Sequence, residues 1–146
     1  MIKKYSELKK DCTRTPEFKK WFEGSKTVNS KGEPLIFYHG THKDFSSFEL
    51  RGGAIAGMFS TDPEKASRYA QYQGGRVIPV YLCLRNPFKG AAVNIKELKE
   101  KGFDGILTRE SGEGNHINAE VFSKDQIKSA MGNSGDFDPS NPEITK

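Results

Sequence analysis

Apolar positions along the chain fall into short runs separated by turn-forming residues. Thr15-Pro16-Glu17 followed by Phe18, Trp21 and Phe22 predicts a helix. Thr15 caps it, Pro16 takes the first helical position, the aromatics recur at three- and four-residue spacing, and Gly24 closes it. Asn29-Ser30-Lys31-Gly32 is a turn signal leading into Pro34-Leu35-Ile36-Phe37-Tyr38, an apolar run that predicts a buried strand ending at His39-Gly40-Thr41. Residues 44–50 predict a loop with aromatic anchors Phe45 and Phe48, and Gly52, Gly53 and Gly57 mark a flexible segment.

Met58-Phe59-Ser60 predicts a short strand. Thr61-Asp62-Pro63-Glu64 then starts a second helix, capped by Asp62 or Thr61, with Glu64 where the helix dipole favours it. Ala66, Tyr69 and Ala70 fall on one side of that helix, and Gln73-Gly74-Gly75 ends it. Residues 77–84 carry the strongest strand pattern, stopped by Asn86-Pro87. Residues 94–101 predict a short polar helix, Ile106-Leu107 a strand, residues 119–122 a final strand, and 126–131 a last turn of helix. From Gly132 on, a mixture of Asn, Gly, Asp, Pro and Ser predicts an extended, weakly ordered tail. The interleaving gives an α+β class, with one domain over 1–131 and a C-terminal tail over 132–146.

A chain of 146 residues has room for one real core. Its apolar share of 34%, carried largely by ten Phe and five Tyr, is that of a globular chain. No apolar run approaches the ~20 residues needed to span a bilayer, so no membrane is expected. The Lys-rich start lacks the apolar core of a secretory signal. Cys12 and Cys83 lie far apart, in neither a metal nor a redox spacing, which predicts a reduced, cytoplasmic setting. The net charge of +4 and pI near 9.0 raise encounter rates with acidic partners. Lysine is nevertheless spread along the chain, so solvated surface charge outweighs a dedicated nucleic-acid face.

Three local features carry candidate chemistry. Tyr38-His39-Gly40-Thr41 leaves a buried strand, where a histidine makes two directed hydrogen bonds and Gly40 lets a flat ligand approach the backbone. His39 and His42 form an HxxH pair, but no Cys or acidic third ligand stands nearby, so no metal is expected. Tyr69 lies near the end of a helix that follows a strand directly, and its ring suits stacking on a planar ligand. In Asn118-Ala119-Glu120-Val121-Phe122, a strand turns Asn118 and Glu120 to one face. Taken singly, each of these reads as well or better as a structural residue.

Taken in order, they resemble the His-Tyr-Glu class of ADP-ribosyltransferases, which includes diphtheria toxin and the poly(ADP-ribose) polymerases. Thr-Pro-Glu-Phe-Lys-Lys-Trp-Phe, Tyr-His-Gly-Thr, Asp-Pro-Glu-Lys-Ala, Asn-Pro, Gly-Phe-Asp-Gly-Ile and Phe-Ser-Lys-Asp-Gln-Ile-Lys-Ser-Ala resemble the compact transferase domains of phage-encoded and polymorphic-toxin polyproteins. The likeness runs from Thr15 to about Ile144. It implies two small packed antiparallel or mixed sheets that form an NAD cleft, flanked by short helices. It implies NAD⁺ as co-substrate without a metal, and transfer of a single ADP-ribose to a macromolecule, protein or nucleic acid. It further implies a phage or toxin-type effector, a monomer, with a cognate antitoxin or immunity protein as partner. On this resemblance His39 bonds a ribose hydroxyl, the Gly40 backbone brackets the carboxamide, and Thr41 takes the small-hydroxyl place. Tyr69 stacks on nicotinamide, Met58 closes the other side of the slot, Ser60 lines it, and Arg51 beside Gly52-Gly53 takes the diphosphate. Ala66 stands where many relatives have a Ser that bonds the carboxamide.

The acidic position departs from the pattern. Counting back from Phe122 puts the catalytic Glu of that class at Asn118, while Glu120 lies two residues on, as in the Glu-x-Glu and Gln-x-Glu pairs of toxin-type transferases. Departure of nicotinamide leaves nearly a full positive charge on the ribose. A carboxylate ~4 Å away at an effective dielectric near ~20 is worth roughly 4 kcal/mol, nearly a thousandfold in rate. An amide offers far less, so Glu120 is the expected charge stabiliser and Asn118 orients a hydroxyl. Residues 110–116 hold the place of a target-recognising loop, with His116 at its end. Two other readings stay open: an NAD- or ADP-ribose-binding module without turnover, and a basic nucleic-acid-binding module without NAD chemistry.

Overall fold

The computed structural model describes residues 12–41, 48, 50–51, 53–55, 58–73, 75–91, 94–109 and 116–146. The side chains of 41, 50, 51, 69 and 71–73 lie outside that description. Helix α1 (Pro16–Phe22) forms as its sequence predicts. The Thr15 hydroxyl accepts the Phe18 amide at 3.1 Å, Pro16 loses nothing at a position whose N–H is unpaired, and Gly24 leaves the helix at φ +80°. Its buried face packs Phe18 edge-on against Tyr81 and Phe137, each with ring centroids 5.0 Å away.

Strand β1 (Phe37–Thr41) begins three residues later than the apolar run suggests. Pro34 has no N–H to donate to a ladder and makes only an isolated bridge with Val28, so regular pairing starts at Phe37. His39, Gly40 and Thr41 are its last three residues, at the strand's end as the sequence predicts. Strands β2 (Leu50–Arg51) and β3 (Ala54–Ile55) form a small ribbon, and β4 (Phe59–Ser60) leads into helix α2 (Pro63–Gln73). The turn between β4 and α2 is locked by side chains: Ser60 Oγ accepts the Asp62 amide at 3.1 Å, and Asp62 Oδ1 accepts the Glu64 amide at 3.0 Å. Then follow β5 (Arg76–Leu82), β6 (Pro87–Lys89), helix α3 (Ile95–Glu100) capped by Asn94, β7 (Gly105–Arg109), β8 (Ile117–Val121) and β9 (Ile127–Ser129).

Mixed α+β architecture is what the sequence predicts, but the sheets are divided otherwise. Among the described residues seven strands pair in one mixed sheet of order β6-β7-β8-β4-β1-β5-β9, in place of two small packed sheets, and β2-β3 stand as a separate ribbon. Only β6 and β7 run parallel among these pairs. One face of the sheet carries the helices: α1 against Tyr81, α2 against Gly40, and α3 through Leu98 against Ile106. The opposite face carries Phe37, Phe59, Val80, Ala119 and Val121, covered by Phe48, Ile55 and Ile144.

Two expectations near the C-terminus fail. Residues 126–131 are not helical: a 3₁₀ turn over Lys124–Gln126 gives way to β9, which pairs with β5. Gln126 forces the change of direction. Its Oε1 accepts the Phe122 and Ser123 amides while its Nε2 donates to the Asp104 carbonyl at 2.8 Å, tying β8 to the start of β7. The tail is not weakly ordered either. Phe137 and Ile144 are buried at 2% and 3% exposure in two different core clusters. The fully buried Lys128 donates Nζ to the Asn141 and Glu143 carbonyls, satisfying an ammonium that could not otherwise leave water. Residues 132–146 thus add Phe137 and Ile144 to core clusters built by the preceding residues.

Candidate active site

β1 and β4 pair at Tyr38↔Ser60, and β4 pairs with β8 at Ser60↔Asn118 and Phe59↔Ala119. β8 pairs on with β7 at Thr108↔Asn118 and Ile106↔Glu120. Residues directly opposed in a sheet share a face. Tyr38, Ser60, Asn118 and Thr108 thus form one row on the helix-bearing face. Continuing both registers by two residues along β1 and β8 brings Gly40, Met58 and Glu120 into the next row of that face. Here pairing changes. β1 continues with β5 through Thr41↔Arg76, while no β1–β4 pair beyond Tyr38↔Ser60 forms among the described residues. The strands part at the level of Gly40.

His39 stands at the parting. Its side chain lies on the opposite face from Asn118 and Glu120, with ring centroids 5.0 Å from both Phe48 and Phe59. Its Nδ1 meets the Met58 carbonyl at 2.9 Å. A carbonyl only accepts, so Nδ1 carries the proton and Nε2 is left as the ring's acceptor. Burial lowers the pKa of His39 below its ordinary 6.5, against a smaller upward pull from the Met58 carbonyl. With its pKa held below 6.5, the imidazole is predominantly neutral at pH 7.

Gly40 plays a part the sequence reading assigned elsewhere. A Cβ built on it would stand 2.1 Å from the Ala66 carbonyl oxygen and 2.8 Å from the Ala70 nitrogen. The helix backbone, not a ligand, fills the space that a side chain would take on that face. Only the main-chain groups of Gly40 along the strand edge are left to meet a ligand. Ala66, at 5% exposure, and Ala70, at 3%, are correspondingly small so that α2 can lie against β1.

Of the other candidates, Met58 is 42% exposed at the parting and Glu120 is exposed beside it, whereas Asn118 is half-buried with its Oδ1 inside the protein. Ser60 is buried at 1% and its hydroxyl is engaged with the α2 turn. Tyr69 lies in the second turn of α2, Thr41 ends β1 opposite Arg76, and Arg51 pairs with Ala54 in the β2–β3 ribbon; the side chains of all three lie outside the described residues. So do His42, Phe45 and the segment 110–115. His116 is half-buried, with Nδ1 3.9 Å from Asp62 Oδ2 at the start of α2, which anchors it to the protein's own fold.

Several motifs that carried the family likeness turn out to be structural. Asp104 of Gly-Phe-Asp-Gly-Ile accepts the Arg85 and Asn86 amides at 2.7 and 3.0 Å, and so holds the Asn-Pro turn. Gly105 has no room for a Cβ, which would lie 2.6 Å from the Glu120 carbonyl. Neither thiol is poised for chemistry: Cys12 Sγ meets the Tyr81 hydroxyl at 3.6 Å, and burial pushes the Cys83 thiol up to about 11. What the sequence did not disclose is the aromatic seat of His39. Phe48 and Phe59 form it, and only the short β4 pattern hinted at Phe59.

No curated protein and no solved structure matches the chain. Residues 29–94 match the family described as ADP-ribosyltransferase in polyvalent proteins. That segment holds β1, the His39 seat, the parting of the strands, α2 and β5, and ends before β8 with Asn118 and Glu120. Over residues 29–94 the chain is thus similar to the ADP-ribosyltransferase domains of polyvalent proteins.

Proposed function

We propose that the chain binds NAD⁺ across the parting of β1 and β4, cleaves it at the nicotinamide ribose, and transfers ADP-ribose to a macromolecule. The observation that carries this reading is the bond between His39 Nδ1 and the Met58 carbonyl at the level where the ladder stops. It fixes a neutral histidine at the mouth of an opening whose other wall bears an exposed carboxylate, Glu120.

In an unbroken ladder two strand spacings amount to about 10 Å at ~4.8 Å per strand; where β1 and β4 part, the room between Gly40 and Glu120 suits a ribose and its leaving group. Because His39 faces one side of the sheet and Glu120 the other, the dinucleotide threads the opening. Its ribose hydroxyl bonds His39 on one side, and its nicotinamide meets the Gly40 main chain at the strand edge, with Met58 and Tyr69 as its expected neighbours. As the C1′–N bond breaks, its electron pair leaves with nicotinamide. The Glu120 carboxylate stabilises the cationic ribose until the acceptor's nucleophile bonds to C1′ and loses its proton. Asn118, in the row with Ser60 and Thr108, orients a hydroxyl and stabilises the charge only weakly. Arg51, on the ribbon, takes the diphosphate. The effector role, its setting in the cytoplasm, a monomeric state and an antitoxin partner belong to the same reading. Among the described residues no helix is long and apolar enough to cross a membrane.

Incubation with NAD⁺ labelled in the adenosine half, with cell lysate as acceptor source, tests the proposal. The expected result is nicotinamide release together with labelled macromolecule, sensitive to either protease or nuclease. Absence of release with and without lysate would overturn it.

A further inference from the structure

Three cations far apart in the sequence, Lys26, Lys89 and Arg109, meet in space at a second opening. Between the 26–35 segment and the β6–β7 edge lies a cavity of about 610 Å³. Its floor is the sheet face that bears Phe37, Leu107 and Ile117, and its rim bears Lys26, Lys89 and Arg109. All three cations are exposed, no carboxylate is among the described residues that line the cavity, and none of the three is ion-paired to another described residue. The main chain holds this rim firmly. Lys26 N donates to the Leu84 carbonyl at 2.7 Å, Leu35 N to the Thr27 carbonyl at 2.9 Å, and Gly90 N to the Leu107 carbonyl at 2.9 Å.

The cavity is distinct from the parting of β1 and β4. Phe37 and His39 share a face of β1, but Phe37 lies two residues toward the strand's start, at the level of Ile117 and Arg109 and away from Gly40 and Glu120. Its ligand must bring several negative charges and an apolar body at once. A single-stranded nucleic acid supplies both in every repeating unit: a phosphate for the rim, and a base with sugar for a floor of half-buried Leu35, Leu107 and Ile117. An acidic peptide offers charge or apolar surface at each residue, not both. A duplex, about 20 Å across with its bases stacked inside, presents only phosphates to a hole of this size.

We propose that this cavity docks single-stranded nucleic acid, which makes nucleic acid the acceptor of the transfer reaction. The second half of that statement rests on the proposed function. The first does not. Docking places the strand where β7 ends and β8 begins, so that a neighbouring nucleotide reaches the parting of β1 and β4.

The test is anisotropy, without NAD⁺, of fluorescein-labelled single-stranded DNA and RNA of about 12 nucleotides, within the usual footprint of such grooves. The matching duplex and a poly-glutamate peptide are measured beside them. The single strands are expected to bind with a salt slope of about −2, from three phosphate contacts at ~0.7 each. The triple variant Lys26→Ala, Lys89→Ala, Arg109→Ala is expected to lose about tenfold or more and to flatten the slope. Charge-preserving Lys26→Arg, Lys89→Arg, Arg109→Lys is expected to bind like wild type, which separates lost docking from lost folding. Whether DNA or RNA binds more tightly identifies the strand. Equal binding by the triple variant, tighter binding of poly-glutamate or duplex, or no single-strand binding overturns the proposal. Single-strand binding with this dependence but no nicotinamide release sinks the enzyme reading and leaves docking in place. Label transfer alongside an unaffected triple variant does the reverse.

Discussion

His39 of β1 and Met58 before β4 are joined at 2.9 Å, imidazole N–H to carbonyl, where main-chain pairing between their strands ends. The bond closes the ladder with a side chain and fixes the tautomer at the same time. Because burial depresses the folded pKa of His39, the native ring resists protonation that the unfolded chain accepts freely. Above about pH 6.5 neither state is protonated there and stability is undiminished. As pH falls through 6.5 the unfolded state takes up a proton that the folded state does not, and stability declines. His39→Gln keeps an N–H donor and removes the titration. Urea midpoints compared between about pH 7.5 and about pH 5 are expected to fall more in wild type than in His39→Gln. An equal fall in both would show that His39 is not the group responsible.

Glu120 and Asn118 can be separated by one pair of variants. Glu120→Gln keeps the shape and removes the charge at an exposed position. Nicotinamide release is expected to drop by about a thousandfold, with NAD⁺ affinity within a few-fold of wild type and stability within about 0.5 kcal/mol. Asn118→Ala is expected to cost roughly ten- to a hundredfold in release, since only an orienting hydrogen bond is lost. Single-turnover release and NAD⁺ titration calorimetry check both. The reverse order of effects would move the catalytic position back to Asn118.

The sequence and the structure agree where a local signal decides the outcome. Thr15-Pro16 starts α1, Asp62-Pro63 starts α2 and Asn94 caps α3, because caps and proline act within a single turn. They part where long-range pairing decides. Ile127-Lys128-Ser129 has no helix-stopping residue, yet β5 recruits it as an edge strand and the tail supplies carbonyls for Lys128. Phe137 and Ile144 look dispensable in a polar segment, yet each fills a hole made by elements far off in sequence. Order and spacing of motifs revealed the family. Which face each candidate residue would occupy was hidden, because a one-residue difference in register reverses every side chain. His39 and Glu120 on opposite faces, and Gly40 filled by helix, follow from pairings that no single strand encodes.

Truncation after Met131 follows from that packing. Removing 132–146 exposes the partners of Phe137 and Ile144 and takes the Asn141 and Glu143 carbonyls away from the Lys128 ammonium. Two apolar side chains at about 1.5–3 kcal/mol each predict a loss of about 3–6 kcal/mol before the ammonium is counted. Urea denaturation of the truncated chain is expected to show a large loss of stability or no folded baseline. Lys128→Met in the truncated chain is expected to recover part of it. A truncated chain as stable as wild type would return the tail to the role of a loose extension.

The contact between Gly40 and Ala66 yields the sharpest structural test, because the atom in the way is main chain. A methyl group on Gly40 meets the Ala66 carbonyl oxygen at 2.1 Å, closer than any relaxed side chain comes, so β1 and α2 must separate. Overpacking of this kind costs typically ~1–3 kcal/mol. For a chain near 150 residues a loss of ~1 kcal/mol corresponds to about 2–4 °C in Tm, so Gly40→Ala is expected to melt about 2–12 °C lower. NAD⁺ affinity is expected to fall with it, since both walls of the opening move. Ala66→Gly removes the Ala66 side chain but not its carbonyl, and is therefore expected not to rescue Gly40→Ala. Thermal melts of the single and double variants check this, and a rescue would mean that the clash is with the Ala66 methyl group and that the helix does not rest on the glycine backbone.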